Sequence, residues 1–301
     1  MHLDFSRLQP YLDTLIINKS KIVDLKSEFK TDYDDKILSK EEGEALLKLG
    51  IDLLAEMQDK LYASGKHSVL IIFQAMDAAG KDSAIKNIMT GLNPQGVKVT
   101  SFKTPSSIEL AHDYLWRHYI ALPAAGEIAI FNRSHYENVL VTRVHPEYIL
   151  NEHIPNINSI KDVDQNFWNA RFTQIKNFEE HILDNGTLVL KFFLHVSKKE
   201  QKKRLIERIE NNTKNWKFSS ADLKERALWK EYQSAYEDML SNTSTKKAPW
   251  FVIPADDKWF TRLCIASIIC NEFEKLQLNY PVVTEEQKKD LAKSKAQLDG
   301  A

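Results

Sequence analysis

The stretch Val69-Leu-Ile-Ile-Phe-Gln-Ala-Met-Asp77-Ala-Ala-Gly80-Lys81-Asp82-Ser83 constrains the fold more than any other part of the chain. An apolar run without alternation reads as a strand buried on both faces. A tight loop of small residues follows. Then a lysine opens a helix whose Ile85, Ile88, Met89 and Leu92 recur at helical spacing. Strand, small-residue loop and helix in this order aim backbone N–H groups and a helix N-terminus at an anion, and the lysine adds a full positive charge. The usual phosphate-loop spacing is G-x-x-x-x-G-K-[ST]. Here Ala75 replaces the first glycine, and Asp82 stands where a magnesium-binding hydroxyl is expected, with Ser83 one place on. The flanking strand and helix favour a phosphate loop over a plain strand-to-helix turn. Ala78, Ala79, Gly80, Lys81, Asp82 and Ser83 are then the candidate cradle.

The chain has 301 residues, enough for one large α/β domain or two small ones, and an apolar fraction of 43% supports a real core. A formal net charge of −1 excludes a generally basic nucleic-acid binder, so any polyanion site must be a local patch. Two cysteines, Cys264 and Cys270, are too few for a disulfide framework and read as small buried apolar residues. The first residues lack a signal-type apolar core and no apolar run is long enough to span a bilayer, so the expectation is a soluble, cytoplasmic protein with no membrane partner.

Residues 1–38 are charged and weakly periodic, with Asp32-Tyr-Asp34-Asp35 read as a polar loop because it lacks the glycine and spacing of a calcium loop. Ser39-Lys-Glu-Glu42 is a capping-box pattern that opens a helix running to about Ala63. Beyond it strands and helices alternate. Candidate strands are 68–74, 97–102, 127–132, 187–194 and 249–253; candidate helices are 81–91, 108–120, 134–143, 164–184, 198–210, 221–240 and 258–277. That alternation implies a five-stranded parallel sheet with right-handed crossovers. We read one domain, 1–301, with a helical N-terminal extension over 1–65 and a polar tail over 281–301 that is a solvated helix or partly disordered.

Two further segments carry chemistry. The apolar strand Ile128-Ala-Ile-Phe ends in Asn132-Arg133-Ser134-His135-Tyr136-Glu137-Asn138, and ligands of doubly wound sheets bind at strand carboxyl ends. Asn132 stands where such enzymes hold magnesium with an aspartate. It brings no negative charge, which shifts that duty to Asp77, Asp82 or Glu137. Arg133 suits a bidentate phosphate clamp. In the basic segment from Lys198 to Phe218, Arg204 and Arg208 share a helix face, and Lys214 and Lys217 follow in a loop. Such a segment can close over phosphates as a lid, here 198–230, although a solvated helix of Lys/Glu pairs is the commoner fate of charge runs. Lys103 and Arg117 are two more basic positions. The loop Pro254–Trp259 follows the last strand, a position that often meets the nucleotide base in P-loop kinases, by fold analogy. No His-x-x-x-His, Cys-x-x-Cys or Gly-x-Ser-x-Gly pattern occurs, which disfavours a zinc site or a hydrolase triad.

Gln74-Ala-Met-Asp-Ala-Ala-Gly-Lys-Asp82, Phe131-Asn-Arg-Ser-His-Tyr-Glu137 and the basic segment 198–218, in this order, resemble the family-2 polyphosphate kinases over about residues 10–280. The second string is similar to the class III branch, whose members act on both nucleoside mono- and diphosphates. The resemblance implies a P-loop kinase-like three-layer sandwich with helices on both sheet faces, a helical lid and a basic channel for polyphosphate. It implies transfer of a terminal phosphoryl group from inorganic polyphosphate to adenine or guanine nucleotides, with magnesium, or manganese in its place. Carried onto this chain, Asp77, Lys81, Arg133 and Arg208 are catalytic, with Asp77 holding the metal. Ala78, Ala79, Gly80, Asp82, Ser83, Asn132, Glu137, Arg204 and Lys214 contact phosphate or nucleotide, and Lys103 and Arg117 line the polyphosphate path. Asn138 replaces an aspartate common in the branch, so no metal role is assigned there. A homo-oligomer, dimer or tetramer, is expected. An ATP-dependent nucleoside monophosphate kinase and a non-catalytic binder with an altered loop are the rival readings.

Overall fold

β1 (Ser68–Ala75) is buried at every position, which is why its sequence does not alternate. In the computed structural model, which describes residues 7–17, 22–34 and 37–300, it lies at the centre of a five-stranded sheet. The others are β2 (Val97–Ser101), β3 (Ile128–Asn132), β4 (Thr187–His195) and β5 (Trp250–Pro254), all within one residue of the sequence expectation. The order is β2-β3-β1-β4-β5 and every pairing is parallel, with Ile71 opposite both Ile130 and Leu190. From β1 the chain runs out to β2, steps back to β3, then crosses to β4 and β5 on the other side. The reversal beside β1 opens a crevice at the strand carboxyl ends.

The helices are α1 (Gln9–Thr14), α2 (Leu25–Glu28), α3 (Lys40–Ser64), α4 (Lys81–Ile88), α5 (Ser107–Leu110), α6 (Trp116–Tyr119), α7 (Glu137–Val144), α8 (Gln165–Asp184), α9 (Lys198–Glu210), α10 (Ser220–Ala227), α11 (Trp229–Thr243), α12 (Lys258–Glu274) and α13 (Glu285–Asp299). One layer groups α3, α4 and α12; the other groups α7, α8 and α11. The Ser39/Glu42 capping box forms as read and starts α3. α12 is buried almost all round, through Phe260, Leu263, Ile265, Ile268 and both cysteines. Across from it, the segment before α2 covers the edge of β5: Ile16 bridges Phe251, and Ile17 N–H donates to the Trp250 carbonyl at 2.9 Å. Asp35 of the expected polar loop lies outside the described residues, as do residues 1–6 of the extension. Among the described residues no helix is long and apolar enough to cross a membrane.

Two helices stop three residues early, 81–91 at Ile88 and 258–277 at Glu274, and three other expectations need larger correction. The single helix 108–120 is two short ones: the Ser106/Glu109 capping box opens the first, which ends at Leu110, and the Asp113 carboxylate takes the Leu115 N–H at 2.8 Å to start another turn. The helix 221–240 breaks at Leu228 into α10, which buries nothing, and α11, which packs Ala235, Tyr236, Met239 and Leu240 into the core. The helix 134–143 starts at Glu137, because Ser134 to Tyr136 form a buried turn.

α3 and α12 approach closely where Gly43 faces the Trp259 ring and Leu263. That ring is held edge-on by Tyr33 at 5.6 Å and by Phe260 at 5.4 Å, so it has little freedom to retreat. Gly43→Ala should therefore destabilise the protein by about 1–3 kcal/mol in denaturant unfolding, although alanine alone would favour the helix by about 1 kcal/mol. Equal or higher stability would show that the two helices can separate freely.

Candidate active site

The loop after β1 turns sharply. Ala78 (φ 59°) and Gly80 (φ 108°) occupy left-handed conformations, costly for alanine and free for glycine. Lys81 then opens α4. Two side chains from α9 hold this loop from behind. Arg204 donates to the Ala79 carbonyl at 2.6 Å and to that of Ala78 at 3.3 Å; its other nitrogen reaches the carbonyls of Ala255 at 2.6 Å and Asp256 at 3.0 Å. Gln201 donates to the Asp77 carbonyl at 3.0 Å and accepts from Arg226 of α10. Carbonyls tied back in this way leave the opposite side of the loop to its N–H groups.

The loop opens on a cleft of about 990 Å³ at the strand carboxyl ends. Eight cationic side chains and four carboxylates line it, a strong local excess in a chain of net charge −1. It gathers Asp77, Lys81, Asp82, Ser83, Lys103, Asn132, Arg133, Arg204, Arg208 and Lys214, all singled out from sequence. Smaller cavities of about 310 and 300 Å³ adjoin it, and Arg133 lines all three. Glu137 lines only the two smaller ones.

Most of these charges have a partner. Lys81 donates to the Ala75 carbonyl at 2.9 Å; burial, and next the nearby Arg133 charge, pull its ammonium below the ordinary range. Arg133, itself left-handed at φ 63°, donates to Asp77 at 3.1 Å and lies 4.0 Å from Glu137. Burial pushes the Glu137 carboxyl up, with Arg133 and Lys81 opposing. Asn132 donates to Asp82 at 2.9 Å and Lys217 lies 3.6 Å from it. Partial burial raises the Asp82 carboxyl, but that hydrogen bond and the Lys217 and Lys81 charges outweigh it and leave it low. Arg208 pairs with Asp222 of α10 at 3.2 Å. The Ser83 hydroxyl accepts from Arg262 of α12 at 2.8 Å.

Two expectations change. Arg204 is buried and its guanidinium is committed to main-chain carbonyls and Glu200, so it braces the phosphate loop rather than reaching into the cleft as a free lid cation. Arg117 is buried away from the main cleft: it donates to the Lys103 carbonyl at 2.8 Å, approaches Glu109 at 3.4 Å and lies over the Phe102 ring. It lines the 300 Å³ cavity, not the basic one. The loop 254–259 is likewise occupied: Asp256 takes the Ser197 N–H and Asp257 the Tyr33 N–H, leaving Lys258 as its one contribution to the cleft. Lys258 was read only as part of that loop and given no role of its own, although its place just beyond a strand carboxyl end was a signal. Gln201, Arg226 and Asp222 were missed because nothing local distinguishes them from solvated helix residues.

Among the described residues no group of three or more histidine, cysteine or acidic side chains could cage a metal. Asp77 and Asp82 on the cleft do suit a hard divalent cation of the kind that takes one or two carboxylates and completes its shell with water and substrate phosphates.

A sequence profile described as Polyphosphate kinase 2 matches residues 37–280. A Rhodopseudomonas palustris protein named ADP-polyphosphate phosphotransferase is 46% identical, covering 94% of this chain and 96% of its own. One from Meiothermus ruber, named AMP/ADP-polyphosphate phosphotransferase, is 47% identical over 76% of this chain and 80% of its own. The crystal structure of polyphosphate kinase 2 from Arthrobacter aurescens TC1 superposes with a TM-score of 0.81 at 35% identity, covering 95% of each chain.

The two α9 arginines should respond differently to truncation. Arg204→Ala should lower both the unfolding midpoint and turnover, because it frees four carbonyls. Arg208→Ala should leave the midpoint within about 2 °C and cut turnover at least about tenfold. Thermal unfolding beside a phosphoryl-transfer assay checks both; the reverse pattern would exchange their roles.

Proposed function

The chain belongs to the polyphosphate kinase 2 family, and from that membership we propose that it moves the terminal phosphoryl group of inorganic polyphosphate onto AMP and ADP, reversibly and with magnesium. As a member of that family it is an enzyme, a phosphotransferase. The observation that carries the donor assignment is the cleft's eight cations to four carboxylates around the phosphate loop. A chain with no overall positive charge concentrates it there, which fits a linear polyanion. Cytoplasmic placement, supported by two free buried thiols, and a homo-oligomeric state belong to the same proposal.

The donor would lie along Lys103, Lys214, Lys217 and Arg208, with its terminal unit at Lys81 and the loop N–H groups. The acceptor would come from the side of the two smaller cavities, so that its phosphate meets the donor at Arg133, the charged residue that lines all three. Such an arrangement lets attacking and leaving oxygens approach in line. A nucleotide phosphate has its second ionisation near 6, so it needs little deprotonation. Positioning and charge neutralisation then supply most of the catalysis. Asp77 holds Arg133 at the junction, and Glu137, 4.0 Å from Arg133, lines the two cavities on the acceptor side. Asp77 first and Asp82 second are the residues to hold magnesium, or manganese, which when bound neutralises charge on phosphate oxygens. Residues 198–230 would act as the lid: Gln201 and Arg208 tie α10 to the phosphate loop and to the cleft.

Purified protein with magnesium, long-chain polyphosphate and either AMP or ADP should yield ADP and ATP with no ATP supplied, followed by chromatography. Turnover only with ATP as donor would make this an ATP-dependent nucleotide kinase. Lys81→Ala should abolish transfer with the fold intact, and Asp77→Asn should lose the metal dependence of the rate. Apparent affinity for polyphosphate should fall steeply with salt.

A further inference from the structure

Beneath the segment that carries Arg133 lies a charged network that lines none of the three cavities. Lys191, in the middle of β4, is fully buried, and its three ammonium hydrogens have three acceptors: Glu179 of α8 at 2.7 Å, the Thr243 carbonyl at 2.9 Å and the Tyr136 hydroxyl at 3.1 Å. Glu179 is buried too. It accepts from the Tyr136 hydroxyl at 2.6 Å and lies 3.3 Å from His135 Nε2. Ser134, next in the chain to Arg133, accepts from buried Gln74 of β1 at 3.0 Å and from the Tyr136 N–H at 3.2 Å. Three consecutive residues, Ser134 to Tyr136, are therefore fixed at zero exposure immediately after a left-handed arginine. A left-handed non-glycine residue persists only where its surroundings over-determine it.

We propose that Lys191 and Glu179 are positioning residues for phosphoryl transfer: by anchoring Tyr136 and His135 they hold Arg133 in its left-handed conformation, with its guanidinium between Asp77 and Glu137. Neither touches substrate. The inference rests on the transfer reading for its rate measurement but has a second readout that does not. A merely structural role makes a different prediction. A buried ion pair can often be exchanged for apolar residues of similar size without loss of stability, whereas removing one partner leaves an uncompensated charge. If the pair only fills the core, Glu179→Leu/Lys191→Met should restore both fold and activity.

The test is that double variant beside Glu179→Leu alone, each with Arg133 intact and with Arg133→Lys. Unfolding midpoints, kcat, KM for polyphosphate, and tripolyphosphate affinity by calorimetry are read for all. Glu179→Leu alone should lose about 5 °C or more of midpoint, and the double should return to within about 3 °C of wild type. The double should nonetheless keep a kcat loss of at least about tenfold. That loss should shrink below about threefold in the Arg133→Lys background, because residues acting through one another are not additive. A double variant with wild-type midpoint and wild-type kcat overturns the proposal, as does an equal fold-loss in both backgrounds. If the double does not fold, Tyr136→Phe replaces it; it keeps the ring, removes the hydroxyl that bridges Lys191 and Glu179, and is read in the same cycle, where unchanged kcat overturns the proposal. A wild-type protein that turns nothing over would sink the transfer reading alone. The cycle on tripolyphosphate affinity then decides the positioning role, with additive losses counting against it.

Discussion

Eight cations gathered around a cleft of about 990 Å³ repel one another, and the fold gives several of them a partner to hold. Arg133 has Asp77 and Glu137, Arg208 has Asp222, Lys217 has Asp82, and Lys81 has the Ala75 carbonyl. These partners differ in permanence. The half-exposed ion pairs contribute little net stability, so a polyanion that offers more charge can take their place. The contacts of Arg204 with four main-chain carbonyls are buried or partly buried and cannot be exchanged without leaving polar groups unpaired. The cleft thus combines replaceable partners at its surface with a fixed brace behind the loop.

Arg133 stands where these two kinds of support meet. Above it are displaceable carboxylates; below it is the buried Ser134–His135–Tyr136 turn with the Lys191–Glu179 pair. Its side chain lines all three cavities. On the positioning role we propose, the polar structure buried beneath this surface motif serves to hold the Arg133 backbone still.

The sheet was legible because burial on both faces leaves a direct trace: β1, β4 and β5 are near-continuous apolar runs, and each strand was placed to within a residue. α9 was read as 198–210 and forms over Lys198–Glu210, since a serine cap and helical spacing are both local. The breaks at 111–115 and at Leu228 were not legible. The first depends on an aspartate competing for a backbone N–H, and the second on α10 facing the cleft while α11 faces the core. In the site, charged residues were found because charge type and strand-end position point to phosphate. Their division of labour was not found. Arg204 and Arg208 look alike four residues apart, yet one turns to buried carbonyls and the other to the cleft. That difference is set by what packs opposite, which a single chain read in order does not reveal.

The antiparallel bridge between Ile16 and Phe251 has a consequence for how the chain is made. A strand edge can be covered only after the strand exists, and β5 is the last of the five to leave the ribosome. The segment around Leu15 to Ile17 therefore waits, without its partner, while the rest of the sheet assembles. A contact of such sequence separation also costs the most in loop closure and forms late in folding. Synthesised before every strand of the sheet, these residues are among the last to find their place, and until they do the edge of β5 is open to pairing with another nascent chain.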